Sequence, residues 1–183
     1  MRKIVVTEFM SLDGIMEAPE KWSFPYWNDD IAKFKQEELE LSDTLLLGRI
    51  TYDGFAQAWP GRTDKTGFAE RMNNYPKYVV SKSLTKTEWN NTHVLSDNFA
   101  QGIAKLKEED GRDILVFGSG ELVNTLLALG LVDQLQLLVY PVILGQGKRL
   151  FRSEVANKLE LKESKTFRSG VVLLTYTSRL QAE

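Results

Sequence analysis

The run Ile114-Leu115-Val116-Phe117-Gly118-Ser119-Gly120 does most to limit what this chain can become. Four consecutive apolar residues read as a short buried strand. Two glycines then bracket a serine, where a missing Cβ lets backbone approach a ligand closely. Leu122, Val123, Leu126 and Leu127 follow on one helical face, and Gly130 is a plausible stop. Strand, glycine turn and helix start aim unpaired N–H groups and a positive dipole end at one spot, which suits an anion and phosphate above all. A sharp turn alone also calls for glycine, so both meanings stay open at this point.

The same design recurs twice. Thr44 to Leu47 reads as a strand and runs into Gly48-Arg49-Ile50-Thr51-Tyr52. Arg49 and Thr51 at a helix start are natural phosphate partners; the bland reading makes Arg49 a solvated cation and Thr51 a cap. Tyr78-Val79-Val80 is a third short strand, followed at once by Ser81-Lys82-Ser83. In an open parallel sheet ligands lie beyond the carboxyl ends of the strands. Three such corners on one rim suit one extended anion, and a dinucleotide needs that many contacts. Arg49 and Lys82 favour an additional ribose phosphate, hence NADP over NAD.

The remaining elements set the class. Lys3 to Met10 is a β-branched first strand, broken by Ser11-Leu12-Asp13-Gly14. A loop carrying Trp22, Phe24, Tyr26 and Trp27 is either a lid or a satellite cluster packed on itself. Asn28 or Asp29 opens a helix with Ile31, Phe34 and Leu39 inward. A short helix is expected from about Lys65 to Asn73, and another after an Asp97 cap. Gln134 to Leu144 is a long apolar strand in which Pro141 implies a bulge or an edge. Lys158 to Phe167 and Val171 to Thr177 form a closing hairpin. Early alternation of strands and helices with a late hairpin gives an α/β fold: a mixed, mainly parallel central sheet with helices on both faces.

Composition narrows the partners. The 183 residues suit one domain, 1–183, with a sizeable core. A net charge of -2 gives no electrostatic reason to expect a nucleic acid or an anionic membrane. No cysteine is present, so disulfides, thiol catalysis and thiolate metal sites are excluded, and no metal is expected. The N-terminal apolar run is too short for a signal peptide or a membrane span, so a cytoplasmic protein is the expectation. His93, the single histidine, has no Ser, Cys or second His nearby in sequence and reads as structural.

Taken in order, Ser11-Leu12-Asp13-Gly14, Gly48-Arg49-Ile50-Thr51-Tyr52, Val80-Ser81-Lys82-Ser83-Leu84, Phe117-Gly118-Ser119-Gly120 and Tyr140-Pro141-Val142-Ile143-Leu144-Gly145-Gln146-Gly147 resemble the dihydrofolate reductase superfamily. The branch is the one similar to the C-terminal reductase domain of bacterial riboflavin-biosynthesis proteins, and the resemblance spans nearly all of the chain. It implies a three-layer dihydrofolate reductase-like fold and NADPH-dependent hydride transfer to a small heterocyclic, carbonyl or imine substrate. By that similarity Gly48, Arg49 and Thr51 hold the pyrophosphate and ribose phosphate, and Ser81, Lys82 and Ser83 line the adenosine end. Gly118, Ser119, Gly120, Glu121 and Leu122 wrap the pyrophosphate. Asp13 and Gly14, with Ile15, correspond to a mobile loop over the nicotinamide. Asp30 falls where folate reductases place the acid that holds the pterin, and Asp30 and Asp13 are the candidate catalytic acids.

The resemblance also implies a homodimer, for which Leu135 to Leu144 and the hairpin offer a surface. A buried sheet explains the same residues. The deaminase domain that accompanies riboflavin-type reductases, with its zinc ligands, has no counterpart in this sequence. No arginine is identifiable for a folate tail, and Glu121 sets a negative charge close to a pyrophosphate. A protein that binds a nucleotide or pterin without turnover is the alternative.

Overall fold

The structure is a computed structural model and describes residues 1–153 and 155–178. In chain order its elements are β1 (Ile4–Ser11), α1 (Asp29–Leu41), β2 (Ser42–Gly48), α2 (Arg49–Ala58), α3 (Phe68–Asn74), β3 (Lys77–Val80), β4 (Thr92–Leu95), α4 (Phe99–Glu108), β5 (Asp113–Val116), α5 (Gly120–Ala128), β6 (Gln134–Tyr140), β7 (Leu159–Thr166) and β8 (Val172–Ser178). The strands form one sheet in the order β4-β3-β2-β5-β1-β6-β8-β7. Pairing is parallel from β4 through β6 and antiparallel at β6–β8 and β7–β8.

The apolar runs dictate this layering. In β2, Leu45, Leu46 and Leu47 are all fully buried, because successive side chains leave opposite faces and both faces are covered. Leu46 joins Ile4, Val6, Val116 and the inner sides of α4 and α5. Leu45 and Leu47 join Val5, Leu115 and residues of α1, α2 and α3. Each buried Leu or Ile contributes roughly 1.5–3 kcal/mol of transfer free energy.

The order of the strands positions the site. β5 is inserted between β1 and β2, so the chain moves outward from one side of that slot and returns to fill it. The carboxyl ends of β1, β2, β3 and β5 therefore meet along one rim at a reversal of strand order, where a crevice must open.

Several expected boundaries move, each for a local reason. The Lys65 helix begins instead at Phe68, because the Asp64 carboxylate accepts the Phe68 and Ala69 amides at 3.1 and 2.5 Å. Asn98, in the left-handed conformation, and not Asp97, precedes α4. β6 stops at Tyr140, so Pro141 neither bulges nor edges the strand but ends it. β6 is paired on both sides, by β1 and β8, and offers no edge to a second copy. The exposed outer strand is β7, whose Glu and Lys residues discourage edge pairing. Asn28 does cap α1, accepting the Ile31 amide at 3.0 Å. His93 stacks on Tyr78 with ring centroids 5.1 Å apart.

The aromatic loop divides between its two readings. Trp22 is buried edge-on against Tyr140, and Tyr26 packs there too. Phe24 and Trp27 keep 66% and 44% of their surface exposed.

Candidate functional site

The groove is built from two glycines in contact. The Gly48 amide donates to the Gly118 carbonyl at 2.9 Å, which ties the end of β2 to the turn after β5. A Cβ on Gly48 would lie 2.7 Å from the Ser119 amide nitrogen. Gly118 has φ +107° and stands two residues beyond the end of β5; a Cβ there would meet Thr51 Oγ1 at 3.0 Å and Glu8 Oε1 at 3.1 Å. Both positions exclude side chains, at Gly118 by backbone conformation as well as by space. The Gly118–Ser119 peptide is cis.

Two helices start at this contact. α2 begins right after Gly48 and α5 right after Ser119, and neither N-terminus has a side-chain cap. Their first-turn amides and dipole ends thus open on one groove. It encloses about 290 Å³ and is lined by Gly48, Arg49, Ile50, Val80, Phe99, Ser119, Glu121, Leu122 and Thr125. Val80 and Phe99 give the groove part of its apolar lining. Of the residues expected to share an anion, Gly48, Arg49, Ser119, Glu121 and Leu122 line this groove; Lys82 does not.

The charges around the groove are arranged in pairs. Arg49 Nε donates to both oxygens of Asp53 at 2.8 Å, and Arg49 Nη1 reaches Ser83 Oγ at 3.4 Å. That last contact draws the Ser81-Lys82-Ser83 segment to the α2 start. Ser81 Oγ accepts the amides of Ser83 and Leu84 at 3.2 and 3.1 Å, so this hydroxyl shapes its own turn, while Lys82 is exposed. Glu121 is ion-paired with Arg152, which compensates the negative charge at the α5 start. Leu122 is buried in the core, and a Cβ on Gly120 would lie 3.3 Å from Met16 Sδ.

The Asp13-Gly14-Ile15 turn is strapped down. The Asp13 carboxylate accepts from Ser11 Oγ at 2.7 Å and from the Leu144 and Gly145 amides at 3.1 and 2.8 Å. The Ser11 hydroxyl and these amides hold its carboxyl down to about 2. Leu150 N donates to Gly14 O at 3.0 Å, Ile15 bridges to Arg149 and is buried, and Arg149 Nη1 donates to Asp13 O at 2.6 Å.

Asp30 also differs from expectation. Arg168, in the β7–β8 turn, grips it with Nε and Nη2 at 2.8 and 3.0 Å and holds its carboxyl below the ordinary range. An acid that stays ionised through neutral pH has no proton to give. Neither Asp13 nor Asp30 is thus set up as a proton donor here. Both act as anions that fasten chain segments.

Sequence reasoning passed over Glu8, in β1. It is 5% exposed, its Oε1 has no hydrogen-bond partner, and burial pushes its carboxyl up to about 8, opposed in part by the Lys35 charge. The available signal was a lone acid within the otherwise apolar and β-branched Lys3 to Met10 run. Asp53, one helical turn after Arg49, was also passed over.

The family model of the RibD C-terminal domain matches residues 2–173. The uncharacterized protein YyaP of Bacillus subtilis is 32% identical over 183 residues, covering 96% of this chain and 94% of that protein. The chain belongs to the RibD C-terminal domain family. Solved structures agree on the fold of this RibD C-terminal-type chain. The Thermotoga maritima diaminohydroxyphosphoribosylaminopyrimidine deaminase/5-amino-6-(5-phosphoribosylamino)uracil reductase superposes with a TM-score of 0.71 at 15% identity, over 97% of this chain and 57% of that one. Enterococcus faecalis dihydrofolate reductase, complexed with NADP(H), gives 0.65 at 14% identity over 97% and 96%. The fold is dihydrofolate reductase-like, and no described helix of this RibD C-terminal-type chain is long and apolar enough to cross a membrane.

Proposed function

We propose that this protein is an NADPH-dependent reductase of a flat heterocyclic, carbonyl or imine substrate of the pterin, folate or ribosylaminopyrimidine class. One observation carries the reading: two uncapped helix starts, α2 and α5, meet across the Gly48–Gly118 contact, where a Cβ at Gly48 would press on Ser119 and one at Gly118 on Thr51 and Glu8. The fit is chemical as well as spatial. Amide donors suit a diphosphate, Arg49 suits an additional phosphate beside it, and Val80 and Phe99 suit an adenine face.

In this reading Gly48, Arg49, Thr51, Gly118, Ser119 and Gly120 hold the phosphates, with Glu121 and Leu122 at the α5 end of the cradle. Ser81, Lys82 and Ser83 take the adenosine side, and Lys82 with Arg49 selects the additional ribose phosphate. Gly14 and Ile15 wall the reactive end. When bound, the nicotinamide supplies a hydride. The half-exposed ring of Trp27, packed near Phe9 at 6.4 Å, offers the substrate a flat apolar face, and the Asp30–Arg168 pair borders it with polar groups.

Fluorescence titration tests this directly: NADPH should bind at least about tenfold more tightly than NADH, since a lost charge-assisted contact is worth roughly 1.5–3 kcal/mol. Equal affinities would remove the roles given to Arg49 and Lys82. A second reading, nucleotide or pterin binding without turnover, is favoured by the engagement of both expected acids as carboxylates. NADPH oxidation by any member of a pterin, folate, flavin-precursor and carbonyl panel would end it.

A further inference from the structure

Glu8, Lys35 and Glu38 form a buried charged triad: all three are at most 6% exposed. Lys35 Nζ is ion-paired with Glu38 and donates to Thr7 Oγ1 at 3.0 Å. The same ammonium lies 4.7 Å from the centre of the Phe117 ring, the residue before Gly118. One cation compensates one buried carboxylate. Leaving the second carboxylate ionised with an unpaired oxygen would be far more expensive than protonating it. Burial raises both carboxyls, and Glu8 Oε1 and both Glu38 oxygens accept no hydrogen bond; what separates the two acids is the Lys35 ion pair, which Glu38 has and Glu8 lacks. Glu8 Oε1 also lies beside the Gly118 backbone, near the Thr51 hydroxyl.

We infer that Glu8 holds the single proton of this triad, and that its neutral carboxyl is what lets a diphosphate-bearing ligand sit at Gly118, making Glu8 a positioning residue of the groove. This rests on the dinucleotide reading. An ionised Glu8 would set a negative charge behind the turn that cradles the phosphates, in a dry surrounding where repulsion is weakly screened. The proton sits on the acid because the site is buried, and its loss is expected as pH rises through about 8. The other charged groups around it are already compensated: Lys35 and Glu38 from α1 by each other, Arg49 of α2 by Asp53, and Glu121 of α5 by Arg152. Thr51 from α2 and the Gly118 backbone bring no charge. Lys77, whose ammonium burial lowers to about 8, sits at the opposite end of β3.

Two variants with two readouts test the assignment. Infrared difference spectroscopy on the ligand-free protein should show a protonated-carboxyl band at neutral pH that Glu8→Gln removes. NADPH affinity of the wild type should fall on the order of tenfold as pH rises through about 8, and that of Glu8→Gln by less than about twofold. Glu38→Gln leaves Lys35 to draw the negative charge onto Glu8, so this variant should lose the band and bind NADPH about tenfold more weakly at neutral pH. A band that survives Glu8→Gln, or a Glu8→Gln affinity that falls with pH as the wild type's does, would overturn the inference. A wild type that shows the band but binds no NADPH at any pH would overturn the cofactor reading and the ligand role, and leave the proton on Glu8.

Discussion

The amide of Gly48 donates to the carbonyl of Gly118 across 2.9 Å, and this one bond brings the starts of α2 and α5 to a common groove. Gly48→Ala tests how much depends on it. The new Cβ would press on the Ser119 nitrogen at 2.7 Å, and backbone cannot give way as a flexible side chain does. The variant should lose roughly 1–3 kcal/mol of stability, as over-packed sites do, and NADPH affinity should drop by at least about tenfold. Denaturant unfolding with a parallel fluorescence titration reads both. An unchanged affinity in a folded variant would contradict the cradle.

Arg49 faces both Asp53 and Ser83, so its guanidinium is pre-positioned for a phosphate without being buried. Arg49→Ala should weaken NADPH by about tenfold and NADH by less than about threefold, since one charge-assisted contact is worth roughly 1.5–3 kcal/mol. Paired titrations at fixed ionic strength decide. Equal losses for the two nucleotides would place Arg49 on the shared diphosphate instead.

Glu8 makes folding stability depend on pH with a definite sign. Below its ordinary value of 4.5 both folded and unfolded chains carry the proton. Between there and about 8 the unfolded chain releases it and the folded chain keeps it. The folded state then binds more protons, so stability falls as pH rises across this window. The contribution lost is roughly 3–6 kcal/mol, and Glu8→Gln should flatten that part of the profile. Urea unfolding of both proteins across the window measures it; identical slopes would contradict a buried neutral acid.

Asp30 is partly buried and held as a carboxylate by the exposed Arg168. Asp30→Asn should leave thermal stability almost unchanged, since exposed ion pairs contribute little. In whichever substrate assay succeeds, kcat should stay within about threefold of wild type, because a group that is already ionised was not donating the proton. A loss of two or more orders of magnitude would return the proton-donor role to Asp30.

Much of this arrangement was legible in the residues. The apolar runs and glycine corners marked the parallel strands, and the Val171 to Thr177 hairpin was found where it lies, because strand periodicity and turn chemistry are local signals. The meeting of Gly48, Arg49 and Ser119 followed from the rule that open sheets bind at their carboxyl rim. What stayed hidden was pairing across long separations. Arg168 lies far along the chain from Asp30, and Arg152 from Glu121; nothing local announces either bond. Glu8 was hidden for a different reason. Its importance comes from burial beside Gly118, and a single acid in a strand carries no sign of which side chains enclose it. Pro141 misled because its position just beyond Tyr140 depended on where β6 stops.

Hydrogen exchange with and without NADPH puts the central claim, that two helix starts share one anionic ligand, to its most direct test. The account predicts that the ligand slows exchange together at the Arg49–Thr51 and Ser119–Leu122 amides and leaves the distant Arg62–Glu70 segment unchanged. Protection at only one of the two helix starts, or at neither under saturating NADPH, would contradict it.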